Sequence, residues 1–200
     1  MRDPMNVDGL VALSPDYIGF IFYPPSKRYV RDIAGGEALD FIPEKIRRTG
    51  VFVNASMEEI EKSVAEYKLK AVQLHGNESI EMCEKLLGKG IEVIKAFHVD
   101  SDFNFQTTED YLNCSDLFLF DTKTEMYGGS GKKFSWDVLK KYTYSKPFML
   151  SGGIGIDDVD EIGKISHKAL YALDINSKFE LSPGVKDLKL IKEFLQKLKG

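Results

Sequence analysis

Cysteine is scarce in this chain, with two residues in 200, and an excess of positive charge is absent, the formal charge being −4. Cys83 and Cys114 lack metal-ligand spacing, and so few thiols suit a reduced, cytoplasmic protein better than a disulfide framework. The acidic balance leaves no basic patch for nucleic acid. No apolar run approaches the length that spans a bilayer, and Met1-Arg-Asp-Pro4 is no signal peptide, so no membrane is expected as a partner. No composition break marks a second domain either. A hydrophobic content of 43% over 200 residues suffices for one large core, and residues 1–200 read as a single domain.

What is present is alternation. Asp3 caps and Pro4 opens a helix running to about Leu13. Apolar strands are predicted at 17–22, 50–54, 71–74, 92–99, 117–120, 148–150 and 169–175. Helices are predicted at 37–42, 57–67, 79–87, 108–112, 136–142, 157–165 and 188–199. Ser56 and Glu59 form a capping box at the head of one of them. Cys83 falls on the apolar side of another, with Ile80, Leu86 and Leu87, and reads as packing. The total is eight helices and seven strands in alternation, the pattern of a parallel sheet covered by helices. A doubly wound sheet normally shows fewer units and one dominant glycine-rich turn near its start. The expectation is therefore an α/β (β/α)8 TIM barrel whose first strand is missing, since the chain opens on a helix.

Such a barrel carries its chemistry at the C-terminal ends of its strands. Asp121 ends the run Leu117-Phe-Leu-Phe120 and precedes Gly128, Gly129 and Gly131. It reads either as a capping acid or as a general acid whose pKa is raised beside another negative group. His75 ends a strand at the same face, as a ligand contact or a satisfied structural histidine. His98 has less support, and His167, preceding a strand, belongs to the opposite face. Asp174 orients a ligand or is simply hydrogen-bonded at its strand end. Arg28, in a loop stiffened by Pro24 and Pro25, offers a planar fork for a carboxylate, or else forms a solvated basic pair with Lys27. Ser151-Gly-Gly-Ile-Gly155 leads from a strand into a helix and suits a phosphate, with Asn176-Ser177 as the facing loop.

Taken together, Asp16-Tyr-Ile-Gly-Phe-Ile-Phe-Tyr23, Ser26-Lys-Arg28-Tyr, Gly50-Val-Phe-Val-Asn54, Val72-Gln-Leu-His75-Gly, Asp121-Thr-Lys-Thr, Gly128-Gly-Ser-Gly131, Leu150-Ser-Gly-Gly153 and Pro183-Gly-Val-Lys-Asp187 resemble the phosphoribosylanthranilate isomerases of tryptophan biosynthesis. The resemblance implies a barrel without cofactor or metal that carries out an Amadori rearrangement on a phosphorylated small molecule. It implies Asp121 as general acid and Arg28 as the partner of the anthranilate carboxylate. Phosphate falls to Gly152, Gly153, Asn176 and Ser177, and His75 and Asp174 line the pocket. Monomer and homodimer both stay open.

Two departures shape the expectations. The family's base is a cysteine in a Lys-(Val/Ile)-Cys-Gly pattern just before the residues that begin this chain, which leads one to expect little or no activity. The family's Ser-Ser-Gly-Val-Glu reads here Asn176-Ser177-Lys178-Phe179-Glu180, with Lys178 replacing glycine. The alternatives are a phosphorylated-ligand-binding barrel without turnover and another sugar-phosphate barrel enzyme.

Overall fold

The computed structural model describes residues 1–30, 35–122 and 135–199. Seven parallel strands form one sheet in chain order: β1 (Tyr17–Ile21), β2 (Arg47–Phe52), β3 (Ala71–Leu74), β4 (Glu92–Val99), β5 (Leu117–Thr122), β6 (Phe148–Leu150) and β7 (Leu170–Leu173). Every neighbouring pair is parallel, so each connection crosses over one face. The sheet is rolled. Tyr17 Oη on β1 donates to Glu92 Oε1 on β4 at 2.8 Å, three strands away, and Tyr17 of β1 and Ala172 of β7 both pack against the same inner cluster. Among the described residues, β1 and β7 are the two margins and do not pair with each other.

Five connections or ends are α-helical: α1 (Pro4–Val11), α2 (Met57–Tyr67), α3 (Ile80–Gly88), α4 (Val159–Ile162) and α5 (Leu188–Lys199). Asp3 caps α1 by accepting from Asn6 N at 2.8 Å, and Ser56 with Glu59 closes the capping box of α2. The helices expected near 37–42, 108–112 and 136–142 are 3-10 turns instead, at Gly36–Leu39, Phe105–Tyr111 and Trp136–Lys141. In the last two, Phe105, Trp136, Val138 and Leu139 are all buried within a few residues. A tight turn can bury such a cluster without the length a stable α-helix needs. A small antiparallel hairpin, β8 (Glu180–Ser182) with β9 (Val185–Lys186), was not expected and precedes α5. Among the described residues no helix is long and apolar enough to cross a membrane.

The strand period of two sorts the side chains. One set faces outward under the helices. Cys83 and Cys114 lie in such a cluster with Leu74, Leu86 and Val93. The other set, Ala71, Ile94, Ala96, Leu117, Leu119 and Met149, packs inside the roll. Counting on by twos from these inner residues reaches Gln73 on β3 and His75 just beyond it, His98 on β4, Asp121 on β5 and Ser151 beyond β6.

Candidate active site

That inner face delivers its polar residues to one rim. His98 is in register with Asp121 across β4 and β5, and the His75 and His98 rings lie 5.1 Å apart. His75 Nε2 is 3.3 Å from Asp121 Oδ2, with both side chains partly exposed. The Gln73 amide sits 2.7 Å from His75 Nδ1. When the amide donates to Nδ1, the ring hydrogen is on Nε2 and faces an Asp121 carboxylate. With the amide turned, Nδ1–H donates to Oε1 and Nε2 accepts from a protonated Asp121. The pair can therefore accommodate Asp121 in either protonation state. Burial first, then the charge of His75, lowers the pKa of His98, which favours its neutral form. Ligand atoms of His75, His98 and Asp121 lie within 4.8 Å of one another, a set that can also hold a cation.

Two residues that sequence reasoning missed hold this side of the rim. The Lys95 ammonium, 3% exposed as a residue, donates to Gly76 O at 2.7 Å, Leu74 O at 3.3 Å, Ala96 O at 3.2 Å and Glu78 Oε2 at 3.2 Å. Glu78 in turn accepts from Asn54 N at 2.9 Å and Gly76 N at 2.9 and 3.0 Å. The buried pair thus ties the exits of β2, β3 and β4 together around His75. A lysine inside an otherwise apolar strand was the available signal.

On the other side, Gly152 has φ +94° and faces Asp121 closely. A Cβ there would lie 2.2 Å from Thr122 Oγ1 and 2.9 Å from Asp121 Oδ1, so only glycine fits. Among the described residues, the backbone N–H groups of Gly152, Gly153, Asn176 and Ser177 donate to no other group. This is the condition for receiving an anion. The expected free helix end is corrected: Gly155 N donates to Asp158 Oδ2 at 2.8 Å, and the helix it enters is only α4 behind a short 3-10 turn. The glycine loop itself, not a long helix, offers the N–H groups. The segment Gly128–Gly131 lies outside the described residues.

Asp174 follows β7 and accepts from Ser151 Oγ at 2.8 Å. Its pKa is raised, first by loss of solvent and then also by the nearby charge of Asp121, against the Ser151 hydrogen bond. Arg28 does not stand in solvent with Lys27. Its Nε donates to Glu180 Oε1 and Oε2 at 3.0 and 2.9 Å, and its Nη2 to Oε2 at 2.7 Å. The Asn176 side chain accepts from Lys186 Nζ at 2.7 Å. His167 is structural as expected, bonded to Tyr142 O at 2.9 Å.

Residues 1–197 match the family model described as N-(5'-phosphoribosyl)anthranilate (PRA) isomerase. A relative of that name from Parabacteroides distasonis is 43% identical over 199 residues, covering 99% of this chain and 90% of the relative. The fold is similar to the crystal structure of phosphoribosyl anthranilate isomerase from Thermus thermophilus, with TM-score 0.86 and 25% identity, covering 100% of this chain and 95% of that one. It is also similar, at TM-score 0.79 and 32% identity, to such an isomerase in complex with reduced 1-(o-carboxyphenylamino)-1-deoxyribulose 5-phosphate, again covering 100% and 95%. Spans of this extent lend no support to the expectation of an inactive chain.

Proposed function

The chain belongs to the N-(5'-phosphoribosyl)anthranilate isomerase family, and from that premise we propose that it converts N-(5-phosphoribosyl)anthranilate into 1-(2-carboxyphenylamino)-1-deoxyribulose 5-phosphate. The observation that carries the reading is the rim itself. A carboxyl–imidazole pair, His75 with Asp121, is pressed against a glycine loop whose N–H groups donate to no described residue. That β1 and β7 do not pair with each other among the described residues supports reading the sheet as an eight-stranded barrel short of one strand among those residues. The Met1 nitrogen runs along that margin, donating to Gly19 O at 2.8 Å.

In this reading Asp121 gives its proton to the furanose ring oxygen as the C1–O bond breaks. The anilino nitrogen lone pair then forms the C=N bond of a Schiff base. A base removes the C2 proton, the electrons pass into C1=C2 and neutralise the iminium nitrogen, and the resulting enol becomes the ketone. Neither cysteine is that base. Both are buried, and burial first of all pushes the Cys83 thiol up to about 12. The substrate phosphate lies against Gly152, Gly153, Asn176 and Ser177, and its aromatic carboxylate against Arg28. His75 holds the Asp121 carboxyl through its Nε2, and Asp174 holds a hydroxyl or the anilino N–H.

The test is turnover of N-(5-phosphoribosyl)anthranilate by the protein as it stands, followed by loss of substrate fluorescence and identification of the ketose product. Substrate bound and released unchanged would replace the isomerase reading with that of a binding barrel.

A further inference from the structure

The Arg28 guanidinium presents two bidentate edges, and one of them is already used. The side-on edge, Nε with one hydrogen of Nη2, is filled by the two oxygens of Glu180. The end-on edge, Nη1 with the second hydrogen of Nη2, makes no bond to a described residue. A planar fork held rigidly along one edge presents its other edge in a fixed direction, with little rotamer freedom left to lose on binding. Glu180 is itself held. Its side chain is 4% exposed, Gly184 N donates to its Oε1 at 3.1 Å, and Lys186 Nζ stands 3.5 Å from the same oxygen.

Lys186 reaches further. Its ammonium also donates to Asn176 O at 3.1 Å, Asn176 Oδ1 at 2.7 Å and Ile175 O at 3.5 Å. One buried cation therefore contacts both the residue that orients Arg28 and the loop whose N–H groups face the phosphate position. The hairpin of β8 and β9 is the element that brings Glu180 and Lys186 together, Glu180 pairing with Lys186 in its ladder.

We propose that Glu180 is a positioning residue for substrate recognition: it holds Arg28 side-on so that the end-on edge receives the aromatic carboxylate. Lys186 fixes this carboxylate site in register with the phosphate loop at Asn176-Ser177. The proposal rests on the isomerase reading above. It goes further by assigning the discrimination for a carboxylated aromatic amine to a pair that does not touch the substrate.

The experiment measures binding of two probes by calorimetry: reduced 1-(o-carboxyphenylamino)-1-deoxyribulose 5-phosphate and the same compound without its ring carboxylate. Wild type is expected to prefer the carboxylated probe. Glu180→Gln should shrink that preference by about tenfold, the scale of one charge-assisted hydrogen bond. It should leave the other probe within about twofold and raise KM more than it lowers kcat. Lys186→Met, read by the same ratio, serves if Glu180→Gln does not fold, and should lower the preference in the same direction. An unchanged preference, or equal losses for both probes, overturns the positioning role. Wild type that binds both probes equally contradicts the Arg28 assignment instead, and wild type that binds neither contradicts the isomerase reading.

Discussion

Two buried lysine–glutamate pairs stand at the rim, and they do different work. Lys95 and Glu78 lie 3.2 Å apart, and their remaining bonds go to the protein's own backbone at the exits of β2, β3 and β4. That pair is closed, and it holds His75 opposite Asp121. Lys186 and Glu180 lie 3.5 Å apart, but Glu180 also carries Arg28, whose outer edge we assign to the substrate carboxylate. The first pair supports the side to which we assign proton transfer, the second the side to which we assign the anionic groups of the substrate. The lesson is that a buried ion pair says little by itself. Which groups it hands on to decides whether it serves the fold or the substrate.

The comparison breaks most visibly at the protons. Asp121→Asn should lower kcat by about 10²–10⁴-fold, the usual worth of a general acid, with KM little changed. Asp174→Asn should cost less and act mainly on KM. The reverse order would move the acid to Asp174, whose raised carboxyl makes it the natural rival.

Next in size is the closed pair. Lys95→Met leaves Glu78 charged and buried, which costs about 3–5 kcal/mol of stability, read as a fall in melting temperature. Lys186→Met should cost less stability, because Arg28 still neutralises Glu180. Equal losses would mean that both pairs are structural. Smaller again is Gly152→Ala, which forces a Cβ to within 2.2 Å of Thr122 Oγ1 at φ +94°. About 1–3 kcal/mol is expected from strain and overpacking, together with weaker binding of inorganic phosphate in a titration. Unchanged phosphate binding would remove this loop from the anion side.

The smallest effect is one of pH. Burial alone would raise Glu180, but Arg28 and Lys186 outweigh it and leave its carboxyl below the ordinary value of 4.5. A carboxyl depressed in the folded state stabilises above its unfolded pKa, and that contribution is lost as pH falls through the folded one. Thermal melts between pH 5 and pH 3, an acid range set about that ordinary value, should therefore show a part of the acid-side loss that Glu180→Gln lacks.

Much of this was legible wherever the cause is local. The strand Ala71–Leu74, the helix Met57–Tyr67 and the strand Phe148–Leu150 fall where apolar runs and the Ser56 cap place them. Asp121, His75 and Arg28 were visible as polar residues following strands. The start of β2 at Arg47 was not, since Arg48 is buried only because Asp40 and Tyr67 O receive it. Lys95 showed only as a lysine inside an apolar run, and its partner Glu78 did not show at all, because the two meet only through the folding of neighbouring strand exits. Glu180 read as the tail of an altered motif, because nothing in the sequence brings it 152 positions back to Arg28.

The division of the rim is tested most directly by a crystal structure with bound reduced 1-(o-carboxyphenylamino)-1-deoxyribulose 5-phosphate. We predict its phosphate on the N–H groups of Gly152, Gly153, Asn176 and Ser177, its ring carboxylate on the end-on edge of Arg28 with Glu180 still in place, and Asp121 beside the sugar chain. Phosphate seated on Arg28, with the glycine loop empty, would contradict the account.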